Sequence, residues 1–211
     1  MHIKYKMISV AFCLLSILNL KAEEISVYFL SMPNKILPSL DIVRKKELLD
    51  AQKDSTHATI KNLFNDTLVL QQMTDNYLSI QSGIAQTEIA LLTMTNQSRI
   101  ICVIQTFCAP VCDSHIHFYT TQWKLLNTTD FFIPEKTAWF FKENPDETGK
   151  ILIQSLLSDI SLTTYHLNPD DLSLTQTYNT PQYLDKETAL QIKPYQKETP
   201  RIFNWVRNQY Q

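Results

Sequence analysis

The residues best suited to chemistry are two cysteines and two histidines close together in the sequence: Cys108, Cys112, His115 and His117. If the segment is extended, the two histidines share one face of a strand. Thiolate and imidazole are preferred ligands of Zn²⁺, so one hypothesis is a tetrahedral zinc site. The spacing argues against it, because one loop and the adjoining strand would have to supply all four ligands.

A second hypothesis makes Cys108 or Cys112 a nucleophile that His115 activates. Such a cysteine requires a base within hydrogen-bonding distance and a setting that favours the thiolate, for example a helix N-terminus. Neither requirement is visible in the sequence. The favoured interpretation is therefore a structural loop followed by a strand with a polar outer face.

The first 22 residues have the pattern of a secretory signal peptide. Two lysines precede an apolar run from Met7 to Leu20, and Ala22 stands directly before the acidic Glu23. The apolar run is too short for a full membrane span. We therefore predict cleavage after Ala22, export, and a single α+β domain over residues 23–211 with no membrane span.

Export places the cysteines in an oxidising compartment, where disulfides form. Three cysteines remain after cleavage, Cys102, Cys108 and Cys112. Cys108 and Cys112 flank Ala109-Pro110-Val111 and are the disulfide candidate, although the geometry of a disulfide is strict and two unpaired thiols are the alternative. Cys102 lies within the apolar run Ile100–Ile104 and is predicted to be buried.

Glycine is almost absent, since Gly83 and Gly149 are the only two in the chain. Phosphate-binding loops, dinucleotide-binding turns and strained nucleophile turns need glycine where the backbone approaches a ligand closely. Once three lysines leave with the signal peptide, 16 basic residues face 21 acidic ones, a net charge of −5. These properties argue against all three kinds of site and against nucleic acid or anionic lipid as a partner.

Short runs of β-branched and aromatic residues, separated by turn signals, predict six successive strands that form an antiparallel meander. Their ranges are 58–64, 67–71, 77–82, 87–94, 99–107 and 115–121. In the third of them, alternation directs Leu78 and Ile80 to the core and directs Ser79 and Gln81 to water. One face of the sheet is therefore expected to be solvated.

Two helices are predicted on either side of the meander. An amphipathic helix spans Asp41–Gln52, and a second runs from Asn144 to about Ser158 with Asn144 as its N-cap. Four further elements are predicted: a strand over Ile25–Leu30, a hairpin over 161–178, a short helix over Lys186–Gln191 and a final strand over Ile202–Val206. The fold class is α+β, a bent antiparallel sheet of roughly eight or nine strands with two or three short helices packed on it.

Aromatic residues late in the chain are candidates for a ligand-binding surface. They are Trp139, Phe203 and Trp205. Large rings offer contact area to sugars or peptides, but they pack in the core more often than they bind ligands.

Several short motifs along the chain resemble one known family. They are Met32-Pro33 with Leu37-Pro38, Asn62–Phe64, Thr74–Leu78, Glu88–Leu92, Ile100–Thr106, Pro110 with Asp113-Ser114, Phe118-Tyr119, Trp123 and Thr180–Leu184. These are similar to an uncharacterised domain-of-unknown-function family of short exported proteins found in Bacteroidales. Because that family has no assigned activity, the resemblance implies no catalytic residue. It implies an envelope location in a Gram-negative cell, most simply the periplasm.

These observations favour an exported binding or accessory module that is not an enzyme and uses no cofactor. Its expected partner is a protein or peptide of the cell envelope. The alternative is a small metal- or thiol-dependent enzyme centred on the Cys108–His117 segment. The two classes differ in whether the four cysteine and histidine side chains converge on a cavity.

Overall fold

A computed structural model describes residues 24–54 and 58–211 of the chain. The predicted signal peptide and its cleavage site after Ala22 lie outside the described residues. Within them, the fold is α+β as predicted, with eleven strands in three antiparallel sheets and five α-helices. No helix in this part of the chain is long and apolar enough to cross a membrane.

The first half forms two helices and one large sheet. The helices are α1 (Ile25–Ser31) and α2 (Ile42–Asp54). The strands are β1 (Ala58–Lys61), β2 (Thr67–Met73), β3 (Tyr77–Ser82), β4 (Ala85–Thr93), β5 (Arg99–Cys108) and β6 (Cys112–Thr120). They pair in sequence order and antiparallel throughout, which confirms the predicted meander.

The second half contains three helices and two small sheets. The helices are α3 (Glu147–Asp159), α4 (Thr180–Tyr183) and α5 (Lys186–Ile192). One sheet has the order β7 (Thr163–Leu167), β8 (Leu174–Tyr178), β9 (Arg201–Phe203), and the other pairs β10 (Trp205–Val206) with β11 (Gln209–Tyr210). The predicted hairpin and short helix are confirmed, while the predicted final strand divides into β9 and β10.

Both faces of the six-stranded sheet are covered. On one face, α1 and α2 pack over a core that includes Leu70, Ile89 and Ile101. On the other face, β7 to β11 and several aromatic rings pack over a second core that includes Cys102 and Phe118. The predicted solvated face is therefore wrong: Ser79 is 3% exposed and Gln81 is half-buried, because the second layer lies over them.

The predicted strand over Ile25–Leu30 is also wrong, since this segment is helix α1. Its β-branched and aromatic residues favoured a strand. The buried residues are Ile25, Tyr28, Phe29 and Met32, which are spaced as one face of a helix. Packing of that face on the sheet outweighs the local preference.

Helix α3 begins two residues later than its sequence signal indicates. Its N-cap is Asp146, whose Oδ1 accepts a hydrogen bond from the Gly149 N–H at 2.7 Å. Asn144, the predicted cap, has φ 56° and lies before the helix. Both residue types are good caps, and the carboxylate nearer the first turn holds the position.

Candidate functional site

The β5–β6 hairpin holds the two candidate cysteines. Cys108 and Cys112 lie directly opposite each other in the ladder and form a disulfide, as predicted. Sulfur atoms bonded to each other are not thiolates, so in this state neither serves as a zinc ligand or a nucleophile. Cys102 is completely buried, and burial raises the pKa of its thiol well above the usual value, with a smaller contribution from the charge of Glu88.

The two candidate histidines lie apart from the disulfide. His115 is exposed, and His117 is half-buried with its ring 6.4 Å from that of Tyr119. Cys112 and His115 are three positions apart in one strand, so their side chains point to opposite faces of the sheet. In the part of the chain that the structure describes, no three His, Cys, Asp or Glu residues are grouped to hold a metal ion.

The three aromatic candidates do not lie together on an exposed surface. Phe203 is 4% exposed and packs edge-on against Phe132, with ring centroids 5.1 Å apart. The Trp205 indole donates a hydrogen bond to the carbonyl of Thr93 at 2.8 Å. Trp139 is half-buried beneath two cationic side chains. Phe203 is thus a core residue, and the three rings do not form one surface.

The densest group of polar contacts centres on Glu88 in β4, which is 2% exposed. Its Oε1 accepts a hydrogen bond from Tyr77 Oη at 2.8 Å and lies 2.5 Å from His166 Nδ1. Its Oε2 accepts a hydrogen bond from the Leu167 N–H at 3.1 Å. Burial raises the pKa of Tyr77 above its usual value, and the Glu88 charge adds to this effect.

The position of β7 explains why an acid is buried here. β7 is an edge strand of its sheet, and its free edge abuts the six-stranded sheet, where backbone N–H groups without acceptors would be costly. Three side chains of the large sheet accept these bonds. The pairs are Thr163 N with Asp113 Oδ1 at 2.9 Å, Tyr165 N with Ser114 Oγ at 3.1 Å, and Leu167 N with Glu88 Oε2.

His166 extends the Glu88 network to the surface. Its side chain is 59% exposed, in contrast to that of Glu88. The hydrogen bond to Glu88 raises the pKa of His166, partial burial opposes this rise, and the Glu88 charge supports it. Because Nδ1 faces the carboxylate, Nε2 is the ring nitrogen available to a ligand.

A cleft of about 400 Å³ lies beside His166, where the two sheets meet. Neutral hydrogen-bonding side chains line it together with the disulfide, namely Gln86, Thr106, Thr164, Asn179 and Gln182. Asn179 is already used in the fold, since its Nδ2 donates to the Cys112 carbonyl and to Thr164 Oγ1, each at 3.0 Å. We take this cleft as the candidate functional site, because a buried charge network opens into it.

A larger cavity, of about 570 Å³, lies between α1 and α2. The charged residues on its walls are all at least partly exposed, so no buried charge points to chemistry there.

One feature of the sequence points to this site. Glu88 is the only charged residue in the strand Ala85–Thr93, an unusual place for an acid. Its partner His166 belongs to a distant strand, and no local spacing relates the two residues.

Three comparisons with known proteins were informative. A family model described as "Protein of unknown function (DUF3256)" matches residues 17–210. No curated protein matches the chain. A solved structure of a domain of an uncharacterized protein from Porphyromonas gingivalis W83 is similar over 90% of this chain and 99% of that chain, with a TM-score of 0.80 and 23% identity. This likeness confirms the fold class, and together with the family match it confirms the resemblance seen in the sequence.

Proposed function

We propose a function from the geometry of the cleft, on the premise that the chain belongs to a family of proteins of unknown function, DUF3256. The protein is an exported binding module of the periplasm or cell envelope, and a peptide segment of a protein partner occupies the cleft. The observation behind this proposal is the exposed His166 ring, which the buried Glu88 holds beside neutral hydrogen-bonding groups.

Export is supported by two independent features. The first 22 residues have the signal-peptide pattern. The disulfide between Cys108 and Cys112 is of a kind that persists in oxidising compartments such as the periplasm.

A peptide matches the chemistry of the cleft. Its backbone offers hydrogen-bond donors and acceptors in alternation. The Gln182 amide presents both, while the Gln86 amide presents its oxygen, since its Nε2 donates to Ser79 Oγ and Glu88 Oε1. His166 presents Nε2, as a donor when the ring is protonated and as an acceptor when it is neutral, since Nδ1 is committed to Glu88. A volume of about 400 Å³ lies in the range of ordinary ligand sites.

The hydroxyl groups of the cleft favour binding over catalysis. Thr106 Oγ1 is hydrogen bonded to Ser114 Oγ at 2.7 Å, and Thr164 Oγ1 accepts a bond from Asn179. Burial, together with the charge of Asp113, raises the pKa of the Tyr165 hydroxyl to about 12. These groups have structural partners or high pKa values, whereas a hydroxyl nucleophile requires an adjacent base.

The binding proposal is tested with a phage-displayed library of random peptides, selected on the mature chain, and calorimetry on the strongest binder. Gln182→Ala removes a cleft amide without touching the Glu88 network, and His115→Ala is the matched control on the opposite face. We expect Gln182→Ala to weaken binding about tenfold, or about 1.4 kcal/mol, and His115→Ala to leave it unchanged. Failure to enrich any peptide, or equal binding by both variants, contradicts the proposal.

Export is tested separately by mass spectrometry of the protein from a periplasmic fraction of its native host. We expect a mature N-terminus at Glu23. Recovery of a chain that retains Met1, or recovery only from the cytoplasm, contradicts export and leaves the binding proposal to be judged on its own experiment.

A further inference from the structure

A third cavity, of about 210 Å³, lies between the 3-10 turn Thr137–Phe140, the end of β8 and the segment that follows α5. Two of the residues that line it carry a buried polar atom with no hydrogen-bond partner among the described residues, Tyr178 Oη and Gln196 Nε2. Burial raises the pKa of Tyr178; the Thr180 hydroxyl opposes this rise but does not lie in hydrogen-bonding geometry. Both groups are donors, and buried donors normally have an acceptor.

The remaining walls combine apolar rings with one cation. Phe140 stacks on Tyr178 with ring centroids 5.6 Å apart, and Pro181 adds a further apolar surface. Lys197 also lines the cavity, and its ammonium group lies 4.5 Å from the centroid of the Trp139 ring. A cation held over an aromatic face is stabilised there, so its charge stays at the mouth of the cavity.

Two other charged side chains lie near Lys197. Glu198 lines the cavity as well, but it is exposed and its carboxylate is solvated. Arg201 lies 5.8 Å from the same Trp139 ring and is paired with Glu135 at 3.4 Å. The unpaired donors in the interior therefore decide which ligand fits, and the charges at the mouth modulate its affinity.

We propose that this cavity binds a small molecule in which a carboxylate adjoins an apolar group. Tyr178 Oη and Gln196 Nε2 donate hydrogen bonds to the carboxylate, Phe140 and Pro181 contact the apolar part, and Lys197 supplies a favourable charge. The cavity shares no lining residue with the cleft beside His166. It is a separate site, and its ligand is additional to the peptide partner.

Benzoate and its neutral isostere benzamide test this site, with the Gln196 side-chain amide followed by ¹H–¹⁵N NMR during titration. We expect benzoate to shift that resonance saturably and benzamide to bind at least about tenfold more weakly. Equal binding of the two probes, or no saturable shift with benzoate, overturns the proposal.

Variants localise the probe and test the sign of the charge effect. Tyr178→Phe should weaken benzoate binding about tenfold, and so should Gln196→Leu, which is followed through the backbone amide of Lys197. Gln182→Ala in the other cleft should not change the binding. Lys197→Gln should weaken binding and Glu198→Gln should strengthen it; both are surface changes that leave the fold intact. If none of these four cavity variants changes the affinity for benzoate, the proposal is overturned, whatever the outcome of the peptide selection.

Discussion

Two acidic or basic side chains among the described residues are almost completely buried, one on each face of the six-stranded sheet, and they are held in opposite ways. Lys45 on α2 is 1% exposed and Glu88 on β4 is 2% exposed. The Lys45 ammonium donates to the carbonyl of Met32, the residue that ends α1. Glu88 contacts the Tyr77 hydroxyl, the His166 ring and a backbone N–H of β7.

The difference shows what each layer depends on. Lys45 has one acceptor for three donors, and burial lowers its pKa, so the fold tolerates this charge at a cost. Glu88 accepts bonds from two groups that would otherwise be buried without an acceptor, the Tyr77 hydroxyl and the Leu167 N–H, and it also holds the exposed His166 ring. Both layers are held by apolar packing, and the second sheet is docked in addition by a polar network that reaches the surface at His166.

The largest expected effect is at Glu88. Glu88→Gln should lower the free energy of unfolding by about 3 kcal/mol, because the Nε2 of the amide would face a donor at one of the two positions where Glu88 has an acceptor oxygen. Urea denaturation measures the change. Glu135→Gln is the matched control, since its half-buried carboxylate is paired with Arg201 and should cost no more than about 1 kcal/mol. Equal losses in the two variants would contradict a special role for Glu88.

Lys45 should behave in the opposite way. Lys45→Met keeps the aliphatic stem and removes a buried charge that has one partner, so stability should be unchanged or higher by up to about 2 kcal/mol. Thermal and urea unfolding against the parent chain measure the effect. A loss comparable to that of Glu88→Gln would show that the two layers depend equally on buried charge.

The two layers should also differ in the sign of their pH dependence. Glu88 raises the pKa of His166 in the folded state. The stabilisation from this pair is therefore complete below pH 6.5, the usual pKa of histidine, and is lost as the pH rises through the raised pKa of the folded state. Burial lowers the pKa of Lys45, so its contribution should increase with pH up to about 10.5. Because His166 is largely exposed, its part should not exceed about 1 kcal/mol. The free energy of unfolding is measured across pH. The fall due to His166 should disappear in His166→Gln, and the rise due to Lys45 should disappear in Lys45→Met.

The smallest effect on stability is expected at His115 and His117, the histidines that the sequence offered as candidate metal ligands. The double change His115→Ala with His117→Ala should alter stability by no more than about 0.5 kcal/mol per residue, as surface substitutions do. Elemental analysis of untagged protein provides the second measurement. Stoichiometric zinc that disappears in the double variant would contradict this prediction and would show that the histidine segment binds a metal ion.

The meander was predictable because its information is local. Strands β1 to β6 follow one another through short turns, so alternation and turn residues are sufficient to identify them. The disulfide was a local matter too, since Cys108 and Cys112 flank one turn. Helix α1 and the burial of Ser79 were not predictable in this way, because both depend on which layer covers the sheet.

Except for helix α1, the sequence by itself determined the main elements, their order and the pairing of neighbours in the large sheet, because these follow from contacts between residues close in the chain. Only the tertiary structure decided that β7 lies edge-on against the large sheet and that its N–H groups need acceptors there. The hydrogen bond from Leu167 to Glu88 joins residues 79 positions apart. No periodicity extends over such a separation, so the acid in β4 acquires its role only when the second sheet docks on the first.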